Sequence, residues 1–220
     1  MAYTYARINK ASLQYIREQK HVTRDYITKT LHLNQDKYDS WESSNSPLLP
    51  TINQAKNVAK CLRVPFAGLY MNTEDICISK PPKLKNLRTL PNSNYDDSGT
   101  NLAVIDLVQT RDFYLELCEE LKVEVPDFLV YINHEEVPIW ASFIRSYFEI
   151  LINDQFKLVS QRQFYLYLRK RVEDKGVFIQ NFTGVDVSVL RGLAITFKKM
   201  PIIGINDDDH YPAKSFTIIH

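Results

Sequence analysis

The chain has 220 residues, 45% of them hydrophobic, with only 6 glycines and 10 prolines, which allows one large or two small domains and excludes a low-complexity chain. The formal net charge of +1 excludes a polybasic or polyacidic protein. The charge is uneven, however: residues 1–72 carry ten Lys/Arg against five Asp/Glu, a basic head on an acidic remainder, and such a head suits nucleic-acid binding.

In chain order, "MAYTYARINK" lacks the apolar stretch of a signal peptide. "INKASLQYIREQK" places Ile8, Leu13 and Ile16 at helical spacing. Thr23 is then set to cap a helix that begins at Arg24 and carries Tyr26, Ile27 and Leu31. "HLN" reads as a three-residue turn, and Asn34 caps the next helix, "QDKYDSWE". Thr51 opens "TINQAKNVAKCL", and "VPFAGLYM" closes the unit. Tyr38 and Trp41 read as core residues, and Gln35 and Lys37 as an exposed helix face. Glutamine can pair with adenine in two places, and lysine can meet phosphate or guanine.

A helix, a tight turn and a second short helix inside a five-helix bundle is the helix-turn-helix arrangement. The run "VTRDYITKTLHLNQDKYDSWES", followed by a proline and the "A…VAKCLRVPFAGLY" close, resembles the Xre-type, lambda-repressor-like DNA-binding domain over about 55 residues. The resemblance implies that Arg24 meets phosphate and that Asn34, Gln35, Lys37 and Ser40 meet bases and backbone. It also places a usual glycine where this chain has His32, and it makes Trp41 structural.

The span "KPPKLKNLRTLPNSNYDDSGTN", residues 80–101, reads as a linker whose "PPKLKNLRTLP" part is ordered enough to lie against the next domain. Domain boundaries are therefore expected at 1–79, 80–101 and 102–220. Beyond the linker, "LAVIDLVQTRDFYLELCEEL" is helical. "VPIWASFIRSYFEIL" is a second helix, opened by Glu136 or Val137 before Pro138. "SQRQFYLYLRKRVEDKG" is a third, capped by Ser160, ended by Gly176 and lined by Phe164, Leu168 and Val172. "INHEEVPIW" has His134-Glu135 but Pro138 in place of a second histidine, so it is no zinc helix. "GVFIQ", "VSVLRGLAITF" and "MPIIGIN" read as strands, "NDDDHYPAK" as an acidic turn, and "AKSFTIIH" as a helix start with Ala213, Phe216, Ile218 and Ile219 on one side. Cys61, Cys77 and Cys118 are odd in number and far apart, which fits reduced thiols in a cytosol. No stretch approaches the roughly 18 apolar residues of a membrane helix. The expectation is a cytoplasmic protein, mainly α with a small β-sheet.

The strand–strand–strand–acidic loop–helix order over "GVFIQ", "VSVLRGLAI", "PIIGIN" and "FTIIH" resembles the ImmA/IrrE family of zinc metallopeptidase domains, which often follow an Xre-type head. In that family the last segment continues as His-Glu-x-x-His, so the resemblance makes His220 the first zinc ligand. Two histidines at i and i+4 share a helix face, and the glutamate between them activates zinc-bound water. This chain stops before that glutamate, and His21, His32, His134 and His210 show no compensating spacing. The expectation is no cofactor and no peptidase activity in these 220 residues, with zinc only in an extended parent. Three functions remain in play: a DNA-binding regulator of prophage, mobile-element or stress-response type with an ImmA/IrrE-like sensing domain; a fragment of a zinc endopeptidase that cleaves a repressor; and an antitoxin or immunity-type interaction protein. The partners implied are duplex DNA, a repressor or toxin protein, and a second copy of the chain.

Overall fold

The computed structural model describes residues 4–78, 80–82, 98–128 and 137–220, with side chains of the last stretch described from residue 139. The chain divides into two compact units, Met1–Asp106 and Leu107–His220. His134, Glu135 and Glu136, and most of the expected linker, lie outside the described residues.

The N-terminal unit is built from α1 (Lys10–Gln19), α2 (Arg24–Leu31), α3 (Gln35–Glu42) and α4 (Ile52–Cys61), a 3₁₀ helix at Phe66–Tyr70, and a short 3₁₀ turn at Thr73–Asp75. It also takes in Ser98–Asp106, the first turns of α5 (Ser98–Glu120). Each helix starts on a polar cap that its sequence supplies. Asn9, Thr23 and Asn34 accept backbone N–H groups of the first turns, and Thr51 with Gln54 closes a capping box, which satisfies donors that a helix start otherwise leaves bare. Apolar residues at helical spacing then form one core. Leu13, Ile16, Ile27, Tyr38, Trp41, Val58, Leu62 and Leu69 are all 0–1% exposed, and Leu102 of α5 joins them. Ser98 accepts the Thr23 backbone N–H at 2.8 Å, so helix begins four residues before the expected Leu102.

The C-terminal unit holds the rest of α5, α6 (Val137–Tyr147), α7 (Ile152–Lys157), α8 (Gln161–Glu173), β1 (Phe178–Phe182), β2 (Gly192–Ile195), β3 (Ile202–Asn206) and α9 (Tyr211–Ile219). Together with the N-terminal helices this makes the chain mainly α with one small mixed sheet. The sheet order is β1-β3-β2, with β3 parallel to β1 and antiparallel to β2. The central strand is the most buried, and a side chain at Gly204 would come within 2.6 Å of Leu107. Arg111 ties α5 to the loop before β3 by donating to the Met200 and Lys199 carbonyls at 2.9 and 2.6 Å, with its guanidinium 3.8 Å over the Phe197 ring. Behind the sheet, Tyr165 and Val172 of α8 pack with Ile179, Ile205 and Ile218.

Several expectations shift in detail. The first strand starts at Phe178 rather than Gly176, because Gly176 sits at φ +86° and turns the chain out of α8. Within "VSVLRGLAITF" only Gly192–Ile195 pairs with β3. In α8 Tyr165 replaces Phe164 in the buried row. In α9 the buried side is Lys214, Ser215 and Ile218, while Phe216 and Ile219 are exposed. The helix is set by His210, which caps it, and by Lys214, whose amine donates to the Asp207 carbonyl at 2.7 Å. That bond turns a charged residue inward and an apolar one outward. The short α7 was not anticipated from the sequence. Among the described residues no helix is long and apolar enough to cross a membrane.

A buried charge sets the alkaline pH response of the N-terminal unit. Lys20 is 1% exposed and donates to the Arg63 carbonyl at 3.1 Å. Burial lowers its pKa to about 8, against the opposing pull of Asp106. An ordinary lysine titrates near 10.4. Between those two values the unfolded chain holds a proton that the folded chain has released, so stability rises with pH across this window. Urea unfolding midpoints at about pH 7.5 and about pH 9.5 should show that rise, and Lys20→Met should remove it. An equal rise in the variant would place the effect elsewhere.

Candidate nucleic-acid interface

The α2–turn–α3 segment is shaped by its turn. His32 adopts the left-handed conformation (φ 51°, ψ 46°), the position where a glycine is least strained. Histidine tolerates it better than most residues. The turn closes with the Leu33 N–H on the Thr28 carbonyl at 2.9 Å and the His32 N–H on the Lys29 carbonyl at 3.3 Å, the Schellman pattern that satisfies the last carbonyls of α2. Asn34 then accepts the Lys37 N–H at 3.1 Å and starts α3.

Tyr38 and Trp41 face inward, edge to face with ring centroids 5.9 Å apart. The opposite side of the first turn, Asn34, Gln35, Asp36 and Lys37, is exposed. Gln35 is held in place, since its amide oxygen lies 3.0 Å from the hydroxyl of buried Thr28 and its amide nitrogen 3.4 Å from Asp39. The oxygen keeps a second lone pair and the nitrogen a second hydrogen, so the amide can still pair with a base. Lys37 extends beside the Trp41 ring, its ammonium 5.8 Å from the ring centre. Ser40 is half-buried; its hydroxyl donates to the Lys37 carbonyl at 2.6 Å. Its own carbonyl, with those of Ser43 and Ser46, accepts from Lys10 at 2.9, 3.1 and 2.6 Å. Lys10 thus caps the carboxyl end of α3 with a positive charge.

Arg24 opens α2, but its Nε is engaged. It donates to Glu42 at 2.8 Å and lies 3.5 Å from Asp39. Arg17 reaches the same carboxylate from α1 through two nitrogens, at 2.7 and 3.0 Å. Glu42 is 1% exposed at its side chain and Arg17 11%. Burial pushes the Glu42 pKa up, but Arg17 and Arg24 outweigh it and leave it below the ordinary glutamate value. Asp39, which by its charge would repel phosphate, is paired with Arg24. Asn34, Gln35 and Lys37 are gathered on one exposed turn, Ser40 lies at its edge, and Arg24 stands behind it as part of the support. Sequence reasoning missed Arg17, Lys10 and the inward role of Glu42. The available signal was spacing: Glu42 lies four residues after Tyr38, and Arg17 four after Leu13, so both fall on core stripes.

His220 caps the end of α9, exposed, with its ring 5.0 Å from Phe216. Among the described residues no three His, Cys, Asp or Glu side chains gather into a metal-holding group. The described residues by themselves supply no set of about three protein ligands such as zinc needs. Comparison of the chain with protein-family models, with curated proteins and with solved structures returned no match.

Glu42→Gln leaves Arg17 and Arg24 facing a neutral amide. Removing one partner of a buried pair costs about 3–5 kcal/mol, which should appear as a lowered urea midpoint for the N-terminal unit. The pH response has a definite sign. A folded pKa below the unfolded one stabilises above about pH 4.3 and is lost as pH falls through the folded value. The variant should lack that acid-sensitive component. Unchanged unfolding in Glu42→Gln would show that the pair supports nothing.

Proposed function

We propose that this chain is a DNA-binding regulator whose N-terminal unit docks α3 in the major groove of duplex DNA. The observation that carries the reading is the exposed first turn of α3, with Gln35 and Lys37 pointing away from a core anchored by Tyr38, Trp41 and Glu42. A recognition helix needs this division, with one side fixed to its own domain and the amino-terminal side chains free for base edges. The roles follow from chemistry: Gln35 pairs with a base, Lys37 meets phosphate, and Asn34 and Ser40 fix the ends of the contact surface. Arg24 contributes positive field at the amino end of α2 while holding Glu42. The C-terminal unit serves as an ImmA/IrrE-like sensing or interaction module; the order of β3, acidic turn and α9 supports that assignment.

Fragments of random genomic duplex should be retained by the protein in a salt-dependent way. Lys37→Ala should weaken binding to all sequences and reduce the salt slope by about 1. Gln35→Ala should relax preference at one base pair by about 1–3 kcal/mol. Both positions are exposed, so folding is not at risk. Absence of retention at low salt, or retention unchanged when both residues are replaced, would overturn the reading.

A further inference from the structure

The C-terminal unit contains an apolar groove of about 1070 Å³ lined from α6, α7, α8 and α9. Ile144, Phe156, Val159, Phe164, Leu168 and Phe216 form most of its wall. Phe156 and Val159 stand 84% and 87% exposed, a large apolar cost to leave in water. The volume lies slightly above the usual range for small-molecule sites, which are mostly apolar with a few placed polar groups.

The polar groups on the wall are few: Gln155, Ser160 and Gln161 beside Trp140, Arg145 and Ser215. Trp140 Nε1 and Ser215 Oγ are buried, and neither has a hydrogen-bond partner; Ser215 is 6% exposed. Arg145 is the charged side chain on the wall, and it is exposed. An indole N–H and a guanidinium only donate, and the serine hydroxyl can donate as well. The groove's accessible cation is Arg145, and a guanidinium favours a ligand that brings acceptor oxygens. The guanidinium adds preference for an anion, best a planar carboxylate. A helix from another protein would fill the apolar wall, but its backbone carbonyls are already bonded within itself. Such a helix could meet the guanidinium only through a side-chain carboxylate, the same group a fatty acid carries as its head.

We propose that this groove binds a medium- or long-chain carboxylate, with the acyl chain along the apolar wall and the head group on Arg145. The proposal does not rest on DNA binding. It can be tested on the full chain by calorimetry with dodecanoate below its micelle-forming concentration, beside dodecanol and acetate. One dodecanoate should bind per chain, acetate should not bind, and dodecanol should bind about tenfold or more weakly. Arg145→Gln should remove the preference for the acid and leave dodecanol unaffected. Ala141→Trp, which fills the groove, should weaken both. Arg145 and Ala141 are exposed, and the acid–alcohol comparison needs no variant. Absence of saturable binding, equal affinity for acid and alcohol, or a dimer whose formation excludes dodecanoate would overturn it.

Discussion

The N-terminal unit depends on one buried carboxylate. Glu42 ends α3 inside the protein and is held by Arg17 from α1 and Arg24 from α2. Taking a carboxylate out of water costs several kcal/mol, and only close, hydrogen-bonded cations recover it. Here the two arginines outweigh burial at the carboxyl, which is held below its ordinary pKa. An apolar residue in its place could pack as well, but it would not prefer one register of α3 over its neighbours. Three charges meeting at one point do, because any slip of α3 along its axis strands all of them. The ion pair thus fixes the position of the helix.

The rest of the α2–α3 geometry follows from that fixed point. With Glu42 inside, Tyr38 and Trp41 point to the core one turn and one residue earlier, and Gln35 and Lys37 are forced outward. The left-handed His32 accepts local strain to keep the turn at three residues. Lys10 gathers the carbonyls at the far end of α3, so both ends of the helix are tied. A short helix with fixed ends and a free first turn can present a glutamine amide with little loss of side-chain freedom on binding.

Much of this unit was legible in the sequence, because its caps and apolar spacings are local signals. Thr23, Asn34 and Thr51 each stand one residue before a helix, and Tyr38 and Trp41 lie three apart. The inward charges were not legible in the same way. Periodicity treats Arg17, Lys20 and Glu42 as solvent-facing by type, although Leu13, Ile16 and Tyr38 lie four residues before them on the same stripes. Only the tertiary partners show that these charges are paired or bonded inside. The C-terminal unit was harder to read. Its strands are short, only Gly192–Ile195 of the longer run "VSVLRGLAITF" pairs in the sheet, and α9 turns Lys214 inward because Asp207 waits there. A hydrophobicity count puts Phe216 and Ile219 on the buried side with Ile218, where the structure has Lys214 and Ser215.

The central claim is that the first turn of α3 is the DNA-contacting surface and that the core behind it is set before binding. Amide hydrogen exchange on the full chain, with and without short duplex DNA at low salt, tests it most directly. The account predicts added protection confined to the segment from α2 through the first turns of α3, with the Tyr38–Glu42 backbone already protected in the free protein. Protection that appears only in the C-terminal unit, or a free protein in which Tyr38–Glu42 exchanges as fast as a loop, would contradict it.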